Sequence, residues 1–148
     1  MEENNSVTSF IVGGEYFAFE TRAIRHILEF TTPTRVPLTK PFFKGVINNH
    51  GNMIPVVDFR ILLGMRPDDS FKEQSIIVAA INVGGKEELC GFKIDEMDDV
   101  FEYSHEDFKP EVVIDVNPEV QHALAGTVKA AGKFVYLLKT EEIAKALL

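Results

Sequence analysis

Short apolar runs of strand length recur along the whole chain, broken by glycine, proline and charge, and they predict a mainly β fold. Val7 to Val12 and Glu15 to Glu20 flank Gly13-Gly14, a two-residue turn of the kind that joins antiparallel strands. Thr21 can cap a short helical turn through Arg25, after which His26 to Phe30 reads as a third strand. Pro33, Pro37 and Pro41 then exclude a long helix and leave an extended connection.

The densest pattern is PFFKGVINNHGNMIPVVDFRILL, from Pro41 to Leu63. Phe43 to Asn48 and Met53 to Val57 are strand-like. The tip between them, Asn49-His50-Gly51-Asn52, has glycine where a tight turn needs positive φ and leaves His50 at its exposed point. Pro55 cannot donate to a ladder, so its strand is expected on an edge or with a bulge. Asp58 is placed to cap one turn of helix over Phe59 to Leu63, with Gly64 as its stop.

The polar stretch Arg66 to Gln74 is the best internal boundary, and beyond it the order of elements repeats. Ser75 to Val83, Gly84-Gly85 and Leu89 to Asp95 repeat the opening hairpin. Phe19, Ile24, Ile27, Glu29 and Phe30 correspond at one constant offset to Phe92, Met97, Val100, Glu102 and Tyr103. Gly45, Gly51, Val56 and Val57 correspond at a second offset to Gly126, Gly132, Leu137 and Leu138, and the difference falls as an insertion within Ser104 to Val120. The expectation is two similar barrels of about five strands, spanning 7–65 and 75–139. Each is small, so they should share a core. A closing helix over 140–148, with Thr140 as cap and Ile143, Ala144, Leu147 and Leu148 on one face, should dock on a barrel.

Composition narrows the function. The chain of 148 residues is 45% hydrophobic, enough for an ordinary core. Its longest apolar runs fall far short of the ~20 residues needed to cross a bilayer, and the first five residues, MEENN, lack the basic and apolar parts of a secretory signal. Net charge is -8, with all arginines before residue 70 and most acids after it. An acidic chain without a basic stripe argues against nucleic acid and anionic lipid as partners. The single Cys90 forms no internal disulfide, which suits a reducing cytoplasm.

No constellation for catalysis emerges. His26, His50, His105 and His122 have no metal-ligand spacing, and Cys90 lacks a cysteine partner, so no metal or cofactor is expected. Ser9, Ser75 and Cys90 sit within strand-like runs where small residues pack. The glycine pairs are flanked by strands on both sides, whereas phosphate cradles open a helix. Asp95-Glu96-Met97-Asp98-Asp99 lacks the bend glycine of a calcium loop and reads as a solvated acidic face, with Met97 and Val100 at core positions of the repeat. The chain reads as a binding module rather than an enzyme.

GVINNHGNMIPVVDFR resembles the signature hairpin of the CheW family, approximately G-V-x-N-L-R-G-x-I-x-P-V-x-D-L-R, and the likeness extends from the FIVGGEYFAF hairpin to Leu124–Leu138 and the closing helix. The resemblance implies one CheW-like domain over residues 1–148, built as two SH3-like five-stranded β-barrels around a shared core. It implies a cytoplasmic, non-catalytic adaptor that couples chemoreceptors to the histidine kinase CheA. Carried over by alignment, the receptor side comprises Ile24, His26, Ile27, Asn48, Asn49, His50 and Gly51. The kinase side is expected at Asp95, Asp98, Asp99 and Val100, and on exposed barrel edges. His50 stands where the family usually has arginine and His26 where it commonly has glutamate, at positions expected to neighbour one another. The alternative is a CheW-like regulator of another kinase or motility pathway with altered receptor contacts.

Overall fold

The computed structural model describes residues 5–37, 39–70 and 74–148. Strands β1 (Ser6–Val12) and β2 (Glu15–Glu20) form the opening hairpin, and a 3-10 turn at Thr21–Ala23 leads into β3 (Ile24–Glu29). The prolines give an extended connection in which Thr34 bridges to Val46. Next come β4 (Phe43–Asn49), β5 (Asn52–Asp58) and helix α1 (Phe59–Leu63). Asp58 caps α1 by accepting hydrogen bonds from Arg60 N and Ile61 N, and Gly64 ends it with φ 95°. After the 66–74 stretch follow β6 (Ser75–Val83), β7 (Lys86–Ile94), β8 (Glu96–Glu102), β9 (Phe108–Lys109), α2 (Pro118–Gln121), β10 (Leu124–Ala130), β11 (Lys133–Leu138) and α3 (Thr140–Leu147).

The strands form two curled sheets, ordered β8-β1-β2-β11-β10-β9 and β3-β6-β7-β5-β4. Each sheet therefore takes strands from both sides of the 66–74 stretch, which differs from a division into contiguous barrels at 7–65 and 75–139. The opening hairpin of each repeat joins the last strands of the other through a short parallel ladder, Val135–Leu137 on Tyr16–Ala18 and Val56–Asp58 on Gly91–Lys93. The reason is burial. A hairpin exposed on both faces gains most by inserting between the other repeat's strands, where one face fills that barrel and the other fills the common core.

The repeat holds to the level of single residue pairs. Gly45↔Val56 matches Gly126↔Leu137, with a register shift at the same place, between Phe43 and Gly45 and between Leu124 and Gly126. Ile27↔Ile77 matches Val100↔Thr8. Ile47, Ile54, Val56 and Ile76 fill one barrel together with Val78, and their counterparts Val128, Val135, Leu137 and Val7 fill the other together with Ala18, which stands where the first barrel has Gly91. A third and larger cluster joins the sheets and receives all three helices. Its centre is Phe59, stacked edge-on at 5.5 Å from Phe10 and 5.8 Å from Phe92. Each of these phenylalanines is fully buried, and truncating any one to alanine costs about 3–5 kcal/mol.

Four local expectations differ from the structure. Thr21 is the first residue of its 3-10 turn and makes no cap; its hydroxyl instead meets Ser6 Oγ and Thr8 Oγ1, each at 3.0 Å, across the hairpin. Thr140 likewise lies inside α3, which starts after Lys139 without a side-chain cap. Pro55 sits on a strand flanked by β4 and β7 rather than on an edge. It is tolerated because the β7 ladder begins only at Val56, while the irregularity lies across the hairpin at Phe43 and Gly45. Leu148 is exposed, whereas Ile143, Ala144, Ala146 and Leu147 are buried.

Candidate protein-interaction site

Local turn chemistry fixes the β4–β5 tip. His50 (φ 52°) and Gly51 (φ 87°) both take left-handed backbone, and Asn48 Oδ1 accepts a hydrogen bond from Gly51 N at 2.9 Å. The related hairpin repeats this at Ala131 (φ 49°) and Gly132 (φ 77°). Asn48, His50 and Gly51 are exposed and Asn49 half-buried, so the tip offers polar groups to solvent.

On β3, Ile24 is half-buried against the shared core, while His26 and Ile27 are exposed, Ile27 by 49%. Arg25 between them donates to Glu87 Oε1 at 2.9 Å. Glu87 in turn lines a cavity of about 420 Å³ together with Asn52 and Met53. Among the described residues no hydrogen bond joins His26 and His50, which lie on β3 and at the tip beyond β4, the two end strands in the order of their sheet.

The acidic run divides into inside and outside. Asp95, expected at the kinase surface, is only 2% exposed. Its Oδ1 accepts from Arg60 Nε at 2.8 Å, and its Oδ2 from Arg60 Nη2 at 2.6 Å and from Gly13 N at 2.8 Å. It ties α1 and the opening turn to the end of β7, and its hydrogen bond raises the Arg60 pKa above the ordinary value. Asp98 is half-buried, accepting from Ser9 Oγ at 2.8 Å and from Lys133 Nζ at 3.0 Å. Asp99 and Val100 face solvent. Val100, expected in the core, is 58% exposed, because its partner position in the repeat is the equally outward Ile27.

Two surface residues escaped the sequence reading. Met53 and Phe134 are 62% and 61% exposed and occupy corresponding places on β5 and β11. The signal was the period of two, since each directly precedes a buried residue, Ile54 or Val135. Ile27 with Val100 and Met53 with Phe134 therefore form two pairs of exposed apolar side chains related by the internal repeat. Among the described residues no group of three or more His, Cys, Asp and Glu side chains could hold a metal ion, and no helix is long and apolar enough to cross a membrane.

Two curled sheets on a shared core, with apolar side chains displayed at repeated positions, define a β-rich interaction module. The chain belongs to the CheW family, whose CheW-like domain profile matches residues 6–147. It is similar to the chemotaxis protein CheW of Helicobacter pylori, at 30% identity over 97% of this chain and 86% of the relative. The chemotaxis protein CheW of Rhizobium meliloti is 28% identical over 91% and 84% of the two chains. That of Thermotoga maritima is 30% identical over 93% and 85%. In fold it is similar to the crystal structure of the scaffolding protein TtCheW from Thermoanaerobacter tengcongensis, with a TM-score of 0.79, 20% identity and coverage of 95% and 88%.

Proposed function

We propose that this protein is a chemotaxis adaptor, a cytoplasmic scaffold without catalysis of its own that couples chemoreceptors to a CheA-type histidine kinase. The observation that carries the reading is the CheW-like match over residues 6–147, with relatives named as chemotaxis proteins along nearly their whole length. Those names favour the adaptor over a regulator of another kinase or motility pathway. The receptor face is Ile24, His26 and Ile27 with the tip Asn48, Asn49, His50 and Gly51. The kinase face is Asp98, Asp99 and Val100, with Asp95 acting from within by holding the corner between β7 and β8.

Burial of apolar anchors supplies most interface energy, and rim charges little. Titration with a receptor cytoplasmic fragment and with a CheA regulatory domain tests both faces. Ile27→Asp should weaken the receptor fragment at least tenfold, about 1.4 kcal/mol, and spare the kinase domain. Val100→Asp should do the reverse. Failure of the wild-type chain to bind either partner would refute the adaptor reading.

A further inference from the structure

Lys93 is a cation taken out of water, 6% exposed on β7, and its surroundings are not those of a simple ion pair. Its Nζ lies 3.8 Å from Asp58 Oδ2, a carboxylate already engaged in capping α1. It also sits 5.0 Å from the centre of the Phe30 ring. Its closest partner is Asp69, whose side chain is 79% exposed. Lys93 forms one wall of an open cavity of about 790 Å³, within the range of small-molecule sites.

The rest of that cavity is lined by further cations and by apolar side chains. Arg35, Lys40 and Lys44 line it, with Asp69 as its acid. Lys40 donates to the backbone carbonyl of Leu148, whereas Arg35 and Lys44 have no ion-pair or hydrogen-bond partner among the described residues. Phe30, Phe43 and Pro33 supply the apolar wall.

The internal repeat shows that the fold does not demand these cations. At the offset that relates Phe19 to Phe92, Lys93 corresponds to Glu20, an exposed residue paired with Arg22. The β3–β4 connection carries Arg35 and Lys40 and no acid, and Lys44 follows at the start of β4. The related segment between β8 and β10 carries Glu106, Asp107, Glu111, Asp115 and Glu119 against one lysine, Lys109. Two barrels of one design close with opposite charges at this place, on a chain whose net charge is -8.

We propose that this cavity binds a small organic phosphate of nucleotide type. The phosphates would pair with Lys93, Lys44 and the forked guanidinium of Arg35, and the organic body would lie against Phe30 and Phe43. Asp69 occupies the anion position in the unliganded chain and is displaced on binding. The positive field it reports is consistent, since Lys93 holds the Asp69 carboxyl below its usual pKa.

The test is calorimetric titration of the full chain with adenosine diphosphate, inorganic pyrophosphate and a glutamate-rich peptide in parallel. Wild type should bind the nucleotide at submillimolar concentration. Arg35→Ala with Lys44→Ala, both at exposed positions, should weaken binding tenfold or more without altering the melting temperature of the free protein. Asp69→Ala should tighten binding by removing the internal competitor. Pyrophosphate binding as tightly as the nucleotide supports the anion site and assigns it to free polyphosphate. Absence of binding by both phosphates, an affinity unchanged in the double variant, or binding of the peptide alone overturns the proposal.

Discussion

Cys90 on β7 and Asp95 just beyond its end show how burial changes what a side chain can do. Asp95 is buried with both its oxygens satisfied by Arg60 and Gly13 N. Asp95→Ala should cost about 3–5 kcal/mol in urea unfolding, because it removes the buried carboxylate that accepts from Arg60 Nε, Arg60 Nη2 and Gly13 N. A loss below about 1 kcal/mol would show that solvent reaches the guanidinium freely. Cys90 has no such partner, and burial pushes its thiol up to about 12. Its unfolded counterpart titrates near ~8.5, so the stability due to the neutral buried thiol is full below that pH and drains away as pH rises toward 12. The urea midpoint of wild type should therefore fall more steeply above pH ~9 than that of Cys90→Ala. Equal alkaline slopes would remove the thiol from the account. Neither behaviour was legible in the sequence, where Asp95 reads as one of five residues in an acidic run. Nothing in a one-dimensional pattern shows that Arg60 folds back onto it.

At the scale of elements the turns were legible and the caps were not. Glycine pairs and Asn-His-Gly-Asn carry their conformation locally, so both Gly-Gly hairpins and the β4–β5 tip follow from residue type. Thr21 and Thr140 fit a cap equally well on local grounds, but the Thr21 hydroxyl is claimed by Ser6 and Thr8, residues distant in sequence. A close approach was also hidden. A Cβ on Gly45 would come within 2.0 Å of Thr34 O, and one on Gly126 within 2.4 Å of Lys109 O, the crossing connection meeting the hairpin at the same point in each repeat. Gly45→Ala and Gly126→Ala should each cost roughly 2–4 kcal/mol, with Gly45 the more sensitive because its φ of 134° adds backbone strain. Thermal melts of the two variants check this, and an unchanged melting temperature in either would mean that the connection yields without penalty. His50 was expected at a turn, and it is there with φ 52°. What the sequence could not give was its distance in the sheet from His26, because strand order is set by the exchange between repeats. Changing both histidines, His26→Glu with His50→Arg, should show coupling below ~0.3 kcal/mol in receptor-fragment affinity.

On the scale of the whole molecule, duplication and shared core were both readable from periodicity and constant offsets. The exchange of hairpins was not, since either pairing satisfies the same alternation of apolar and polar residues. It has a measurable result. Chains cut within 66–74 should give halves that lack cooperative unfolding alone and regain sheet signal in circular dichroism when mixed. A cooperative melt by residues 1–65 in isolation would contradict the strand order. The same exchange bears on how the protein is made. The opening hairpin leaves the ribosome roughly a hundred residues before its partners β10 and β11, so one sheet stays open over that interval. At ~5–20 residues per second that interval lasts many seconds, during which the edge of β2 that β11 covers stays unpaired. Folding of the opening hairpin into its sheet thus waits on strands made much later, and its open edge is the segment that a nascent-chain chaperone would meet.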